Sequence, residues 1–203
     1  MINPARRTFA RLAVALAGGA LVALVAGCNK APEFKNLDIT GNTQFGSNFS
    51  LPDTSGKTRT LDDFKGRAVV LFFGYTHCPD VCPTTLAELS QAVQQLGPDG
   101  KRVQVLMVTV DPARDTPELL AQYVTAFNPS FIGLRPVDDA QLAKLSKELR
   151  VYYAKAPGKT PGDYTMDHTA ASYVFDPQGK LRLFARDGQG VQTWVHDLKL
   201  LLD

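Results

Sequence analysis

No strong charge of either sign, no internal repeat and no low-complexity tract marks this 203-residue chain. Its 22 basic and 20 acidic side chains give a formal net charge of +2, and with Arg6, Arg7 and Arg11 set aside the basic count falls to 19 against the same 20 acids. So neutral a body has no one-signed field to steer nucleic acid or lipid, which excludes a nucleic-acid partner and leaves recognition to shape and one local site. The uncharged run from Leu12 to Ala26 is too short for a comfortable transmembrane helix. Neither Cys78 nor Cys82 sits in a recognisable peroxidatic motif, which sets a peroxidase aside. What remains, with 44% hydrophobic residues and no second linker, suits one globular domain of ordinary core size.

The amino terminus has a basic opening without acidic residues, then the uncharged run, then small residues ending at Cys28, which is the pattern of an export signal. Val25-Ala26-Gly27-Cys28 resembles a bacterial lipobox, in which the cysteine sulfur is acylated and becomes the first residue after cleavage. Arg6-Arg7-Thr8-Phe9 also matches a twin-arginine signal, though basic pairs are common in such openings. The expected organisation is a signal peptide over 1–27, a lipid anchor and polar tether over 28–41, and a folded domain over 42–203. Lipidation of Cys28 predicts the bacterial cell envelope, on the periplasmic side of the inner membrane. Asn29 stands where Asp is the usual inner-membrane retention signal, so the outer membrane stays open.

Phe45, Phe49 and Leu51, the turn Pro52 to Lys57 and then Thr58 to Leu61 predict a short hairpin. The non-alternating apolar runs Ala68–Gly74 and Val103–Val110 fit central strands covered on both faces. Leu86, Leu89, Val93 and Leu96 recur at helical spacing until Gly97-Pro98; further helices are expected over about 116–127, 138–149 and 191–202. Ser172–Asp176 and Lys180–Phe184 flank Pro177-Gln178-Gly179 as a second hairpin. The Pro-, Gly- and Lys-containing segment from Tyr153 to Asp167 reads as an exposed excursion before His168. A parallel core extended by an antiparallel hairpin, with a cysteine pair between the first central strand and its helix, predicts an α/β thioredoxin-like fold. Its central mixed sheet is flanked by helices and carries an added N-terminal hairpin.

Cys78 and Cys82 lie four residues apart. A near-helical turn puts both sulfurs on one side, close enough to chelate an ion or to oxidise to a disulfide. Pro83 suits the first helical position, and the helix amino end then favours a thiolate. A disulfide is the default for two cysteines in an oxidising compartment. A bridge over so short a loop adds little stability in the chain-entropy model, so function at the pair gains weight. A purely redox pair normally has two intervening residues; this one has three.

The stretch Gly74-Tyr75-Thr76-His77-Cys78-Pro79-Asp80-Val81-Cys82-Pro83, the segment Val110-Asp111-Pro112-Ala113-Arg114-Asp115-Thr116-Pro117, and Asp167-His168 leading into Tyr173-Val174-Phe175-Asp176-Pro177 together resemble the Sco/SenC family of cytochrome oxidase copper-assembly proteins. The resemblance spans about 45–202. It implies that Cys78, Cys82 and His168 ligate one copper ion, Cu(I) or Cu(II), with Asp111 as a possible auxiliary in transfer. For Asp111, capping of the following turn is an equal alternative. Two thiolates suit the soft cuprous ion and an imidazole lets the same site hold cupric ion. Where many thioredoxin relatives place a proline facing the cysteines, this chain has Ala170 and Ala171, which leaves room for His168. His77 adjoins Cys78 but is expected to point away, His196 to sit at the surface of the last helix, and Met166 to pack.

The resemblance implies a carrier and not an enzyme: a copper chaperone that takes its ion from a periplasmic donor and hands it to the dinuclear centre of cytochrome c oxidase subunit II. The runner-up is a thiol–disulfide reductase using Cys78 and Cys82 as a redox disulfide pair, which does not obviously need His168. A copper- or redox-responsive signalling protein is a third reading of the same site.

Overall fold

The computed structural model describes residues 33–46, 48–158, 160 and 162–203. Cys28, the expected signal peptide and the twin-arginine pair lie outside the described residues. Among those described, no helix is long and apolar enough to cross a membrane.

The two apolar runs form the centre of the molecule. β1 (Leu37–Asp38), β2 (Ser50–Pro52) and β3 (Thr58–Thr60) precede β4 (Ala68–Gly74), every residue of which is buried. The chain continues through α1 (Val81–Gln95), β5 (Val103–Thr109), α2 (Pro117–Phe127), β6 (Ile132–Leu134) and α3 (Asp139–Leu149). It ends with β7 (Tyr153–Pro157), β8 (Tyr164–His168), β9 (Ala171–Phe175), β10 (Leu181–Arg186) and α4 (Val191–Leu202). Six strands make one sheet in the order β1-β10-β9-β4-β5-β6. β4, β5 and β6 run parallel, with Val70 opposite Val105 and Met107 opposite Gly133, while β9 joins β4 antiparallel through Val70 opposite Val174. The expected mixed sheet flanked by helices, with its N-terminal hairpin β2–β3, is present.

Two of the helices, α2 and α3, start at side-chain caps. Thr116 accepts from Leu119 N–H ahead of Pro117, and Asp138 accepts from Gln141 N–H ahead of α3. The apolar faces of α1 and α4 close the core with Leu86, Leu89, Trp194 and Leu198. Gln104, buried within β5, is satisfied by donating to Ser130 O at 2.7 Å and to Val105 O at 3.1 Å.

Two expectations need correction. The polar tether predicted over 28–41 is shorter on its domain side, because β1 pairs with β10 and buried Asp197 accepts from Lys35 N–H at 2.9 Å and Asn36 N–H at 2.8 Å. The excursion predicted over 153–167 is instead the ordered hairpin β7–β8, in register from Tyr153 opposite His168 to Pro157 opposite Tyr164. Gly158 and Gly162 sit between the two strands, where Gly158 N–H donates to Asp163 O at 3.0 Å, while the arms alternate like strands.

Candidate metal centre

β4 delivers the chain into the loop from Tyr75 to Asp80, and α1 begins at once. Cys78 lies in that loop, its N–H donating to Tyr75 O at 3.3 Å, and Cys82 is the second residue of α1. The first N–H groups of a helix have no partner inside it. Here Cys82 N–H donates to Cys78 Sγ at 3.4 Å. Pro83 is the third residue of α1 and not the first as expected, yet it remains in the turn where no donor is missed.

His168 is brought in from 86 residues beyond Cys82, at the last position of β8. Its Nε2 lies 3.7 Å from Cys82 Sγ, and its Nδ1 is 3.1 Å from Thr169 O. With Nδ1–H donated to that carbonyl, Nε2 carries the free lone pair. Phe72 and Tyr75 stand nearly perpendicular to the imidazole at centroid distances of 6.5 and 6.1 Å. One donor atom from each of Cys78, Cys82 and His168 lies within 4.8 Å of the others. Metal–thiolate bonds of about 2.3 Å let a linear pair span roughly 4.6 Å, so donors this close need to move by only a few tenths of an ångström to close around one ion. Gly74 makes room for them, since a Cβ there would meet the Phe72 ring at 2.8 Å and Cys82 Sγ at 2.9 Å.

Both thiols are free, Cys78 half-buried and Cys82 buried. The hydrogen bond from Cys82, helped by His168 and the Asp80 and Cys82 amides, outweighs burial and lowers the Cys78 thiol to about 4. The same shared proton, then burial, drives Cys82 far upward. Burial disfavours a charged His168, but its bonds to the Cys78 sulfur and the Thr169 carbonyl raise its pKa overall. The metal-free sulfur pair therefore favours one thiolate and one shared proton, and a cation that binds there releases that proton. Asp187, beside the His168 loop through its N–H to Ala170 O at 3.1 Å, is pushed up to about 7 chiefly by burial.

The other sequence candidates lie elsewhere. His77 is half-exposed and bonds Thr76 Oγ1 at 3.0 Å, next to buried Asp115. His196 pairs with Asp197 at 2.7 Å on α4, and Met166 is packed in the core. Asp111 does not cap α2, a role taken by Thr116. It accepts from Tyr164 OH at 2.9 Å and from Arg114 Nε. Arg114, Tyr164, Gly74 and Asp115 received no role from the sequence. Arg114 stands three residues after Asp111, and Tyr164 shares a strand face with His168; those spacings were the available signals.

A family model described as SCO1/SenC matches residues 38–203. The chain belongs to the SCO1/SenC family. It is 41% identical over 165 residues to the mitochondrial SCO2 homolog of Bos taurus, covering 80% of this chain and 62% of that protein. The SCO2-like protein of Rickettsia felis is 34% identical over 140 residues, 68% of each chain. This chain thus spans about three fifths of the length of its mammalian relative. Copper-bound ScoI of Bradyrhizobium japonicum superposes with a TM-score of 0.67 at 42% identity, covering 78% of this chain and 99% of that one. Apo Sco1 of Thermus thermophilus gives 0.72 at 36% identity, covering 85% and 99%. Sco relatives are thus solved with and without copper, and this Sco domain brings two cysteines and a histidine together for one metal ion.

Proposed function

We propose that this chain is a copper carrier of cytochrome oxidase assembly: it binds one copper ion through Cys78, Cys82 and His168 and passes it to the dinuclear centre of subunit II. The observation that carries the reading is the convergence of two sulfurs and one imidazole nitrogen within 4.8 Å at the ends of three separate segments. The copper-bound relative at 42% identity supports copper as the cargo. Cys78 is already inclined to the thiolate form, Cys82 gives up its proton as copper arrives, and His168 offers Nε2. A third ligand on a separate hairpin allows exchange with a recipient by stepwise replacement. The same reading places the protein on the outer face of the inner membrane through acylated Cys28. Mass spectrometry of membrane-bound protein reads that modification, and an unmodified Cys28 sinks the anchor.

His168→Ala tests the function. The variant should keep two reactive thiols, lose stable cupric binding and its thiolate-to-cupric absorption, and retain weakened cuprous binding. In cells it should lose oxidase activity and regain part of it in excess copper. A second reading has one observation in its favour: a low-pKa, partly accessible Cys78 beside buried Cys82 is the asymmetry of a nucleophilic and a resolving thiol. Cys78 thiolate would attack a substrate disulfide and expel one substrate thiolate. Cys82 would then attack Cys78 Sγ in the mixed disulfide and expel the second substrate thiolate, leaving a Cys78–Cys82 disulfide and a fully reduced substrate. Full oxidase assembly in His168→Ala at ordinary copper, with loss in Cys82→Ser, would favour that reductase and defeat the carrier.

A further inference from the structure

Among the described residues, β7 and β8 pair only with each other, so His168 ends a hairpin outside the main sheet. The main ladder that fixes Cys82 through β4 and α1 therefore does not fix the third donor. Within the hairpin, Thr169 N–H donates to Tyr152 O at 2.9 Å and Tyr152 N–H to Thr169 Oγ1 at 2.9 Å, which closes its base without tying it to the rest. Polar ties to the body gather at Tyr164 and at Asp163 beside it, whose carboxylate lies 3.7 Å from Arg114 Nη1. The Tyr164 hydroxyl donates to Asp111 Oδ1 at 2.9 Å, and its backbone carbonyl accepts from Arg114 Nη1 at 2.9 Å. The Arg114 guanidinium also lies 3.6 Å from the centre of its ring. Arg114 is itself held, because its Nε donates to Asp111 Oδ2, and Asp111 is buried just past the end of β5.

Side chains two apart on a strand share a face, so Tyr164, Met166 and His168 project to one side of β8. Met166 in the middle is packed in the core. A one-residue slip would turn all three away. Fixing Tyr164 therefore fixes the register in which the imidazole meets Cys82.

We propose that Arg114, seated on Asp111, is the positioning residue for His168: by clamping Tyr164 it holds a hairpin that no sheet ladder ties to the body so that Nε2 faces the sulfurs. The consequence for copper rests on the carrier reading; the consequence for the hairpin does not. A planar guanidinium is needed because a single group must stack on a ring, donate to that residue's carbonyl and bond a carboxylate, which a lysine ammonium cannot reproduce. Removing the cation would leave a buried carboxylate unpaired. The informative variants are therefore Arg114→Lys, which keeps the charge, and the double replacement Arg114→Leu with Asp111→Leu, which removes both partners.

In the full chain without metal, amide hydrogen exchange should rise about tenfold or more over 153–168 in both variants while 103–109 stays protected. Loaded with cupric ion, Arg114→Lys should release it about 10–100-fold faster, the range typical of lost support around a ligand. Its cuprous retention should change less than about threefold, and in a His168→Ala background Arg114→Lys should have no further effect on copper. Unchanged exchange over 153–168, or an Arg114→Lys effect that adds in full to His168→Ala, overturns the proposal. A wild-type chain that takes up no copper defeats the carrier reading, and the metal-free exchange still decides whether Arg114 holds the hairpin.

Discussion

Cys82 shares its proton with Cys78, and the sign of the site's pH dependence follows from that bond. It carries Cys78 from an ordinary 9.0 down to about 4. A group whose pKa is lower in the folded chain contributes stability that is complete above the unfolded value and lost as pH falls through the folded one. The Cys78 contribution is thus lost from about 9 down to about 4. His168 acts in the opposite sense. Its raised pKa gives stability complete below 6.5 and lost as pH rises through the folded value. In metal-free protein, ultraviolet thiolate absorbance should report one thiolate per chain still present near pH 6. Alkylation of Cys78 should barely slow between about pH 8 and 6, whereas an ordinary thiol of pKa about 8.5 slows close to tenfold per unit. Cys78→Ser should remove that thiolate. A first thiolate appearing only near pH 8 to 9 would mean that the shared proton does not control the pair.

At the scale of elements, the sequence revealed segments whose patterns are local and concealed those that exist only through long-range pairing. β4 and β5 read directly as apolar runs, and α2 and α3 as helical segments, because burial on both faces of a strand or on one face of a helix leaves its mark within a few residues. β1 was hidden because two residues have no periodicity; what holds its neighbourhood is Asp197, more than 160 positions away. β7–β8 was misread because Gly158, Pro161 and Gly162 dominate its composition, whereas its order comes from Tyr164 meeting Arg114 and Asp111 across 50 or more residues. The ligand set came through because chemistry constrains residue type and the motifs around it. Its supports did not, since Gly74 is explained only by the Cys82 sulfur that a Cβ would strike. The segment Val110 to Pro117 showed its pattern in the same way without showing why. Buried Asp115 in it accepts from Thr76 Oγ1 and Thr109 Oγ1, both at 2.6 Å, and so ties the cysteine loop to the end of β5.

For the molecule as a whole, the metal site joins a local pair of donors to a remote one, and this division determines what copper does for stability. Cys78 and Cys82 stay four residues apart even in the unfolded chain, so they can still grip a soft cuprous ion there. His168, 86 residues from Cys82, is supplied by folding alone. An ion stabilises the native state only by its excess affinity for that state; with no affinity for the unfolded chain the gain is about 2.7 kcal/mol at a free concentration a hundredfold above Kd. Cuprous ion, held in both states by sulfur, should therefore raise the denaturation midpoint by distinctly less than this bound. Cupric ion, which needs the imidazole, should come closer to it. Denaturant titrations of the full chain under anaerobic conditions, with each ion and without, read the two shifts. His168→Ala should erase the cupric shift and leave most of the cuprous one, and the chain oxidised at Cys78 and Cys82 should show neither, because a disulfide offers no thiolate. A cuprous shift larger than the cupric one in the wild-type chain, or a full cupric shift in His168→Ala, would mean that the fold-dependent part of the affinity does not come from His168.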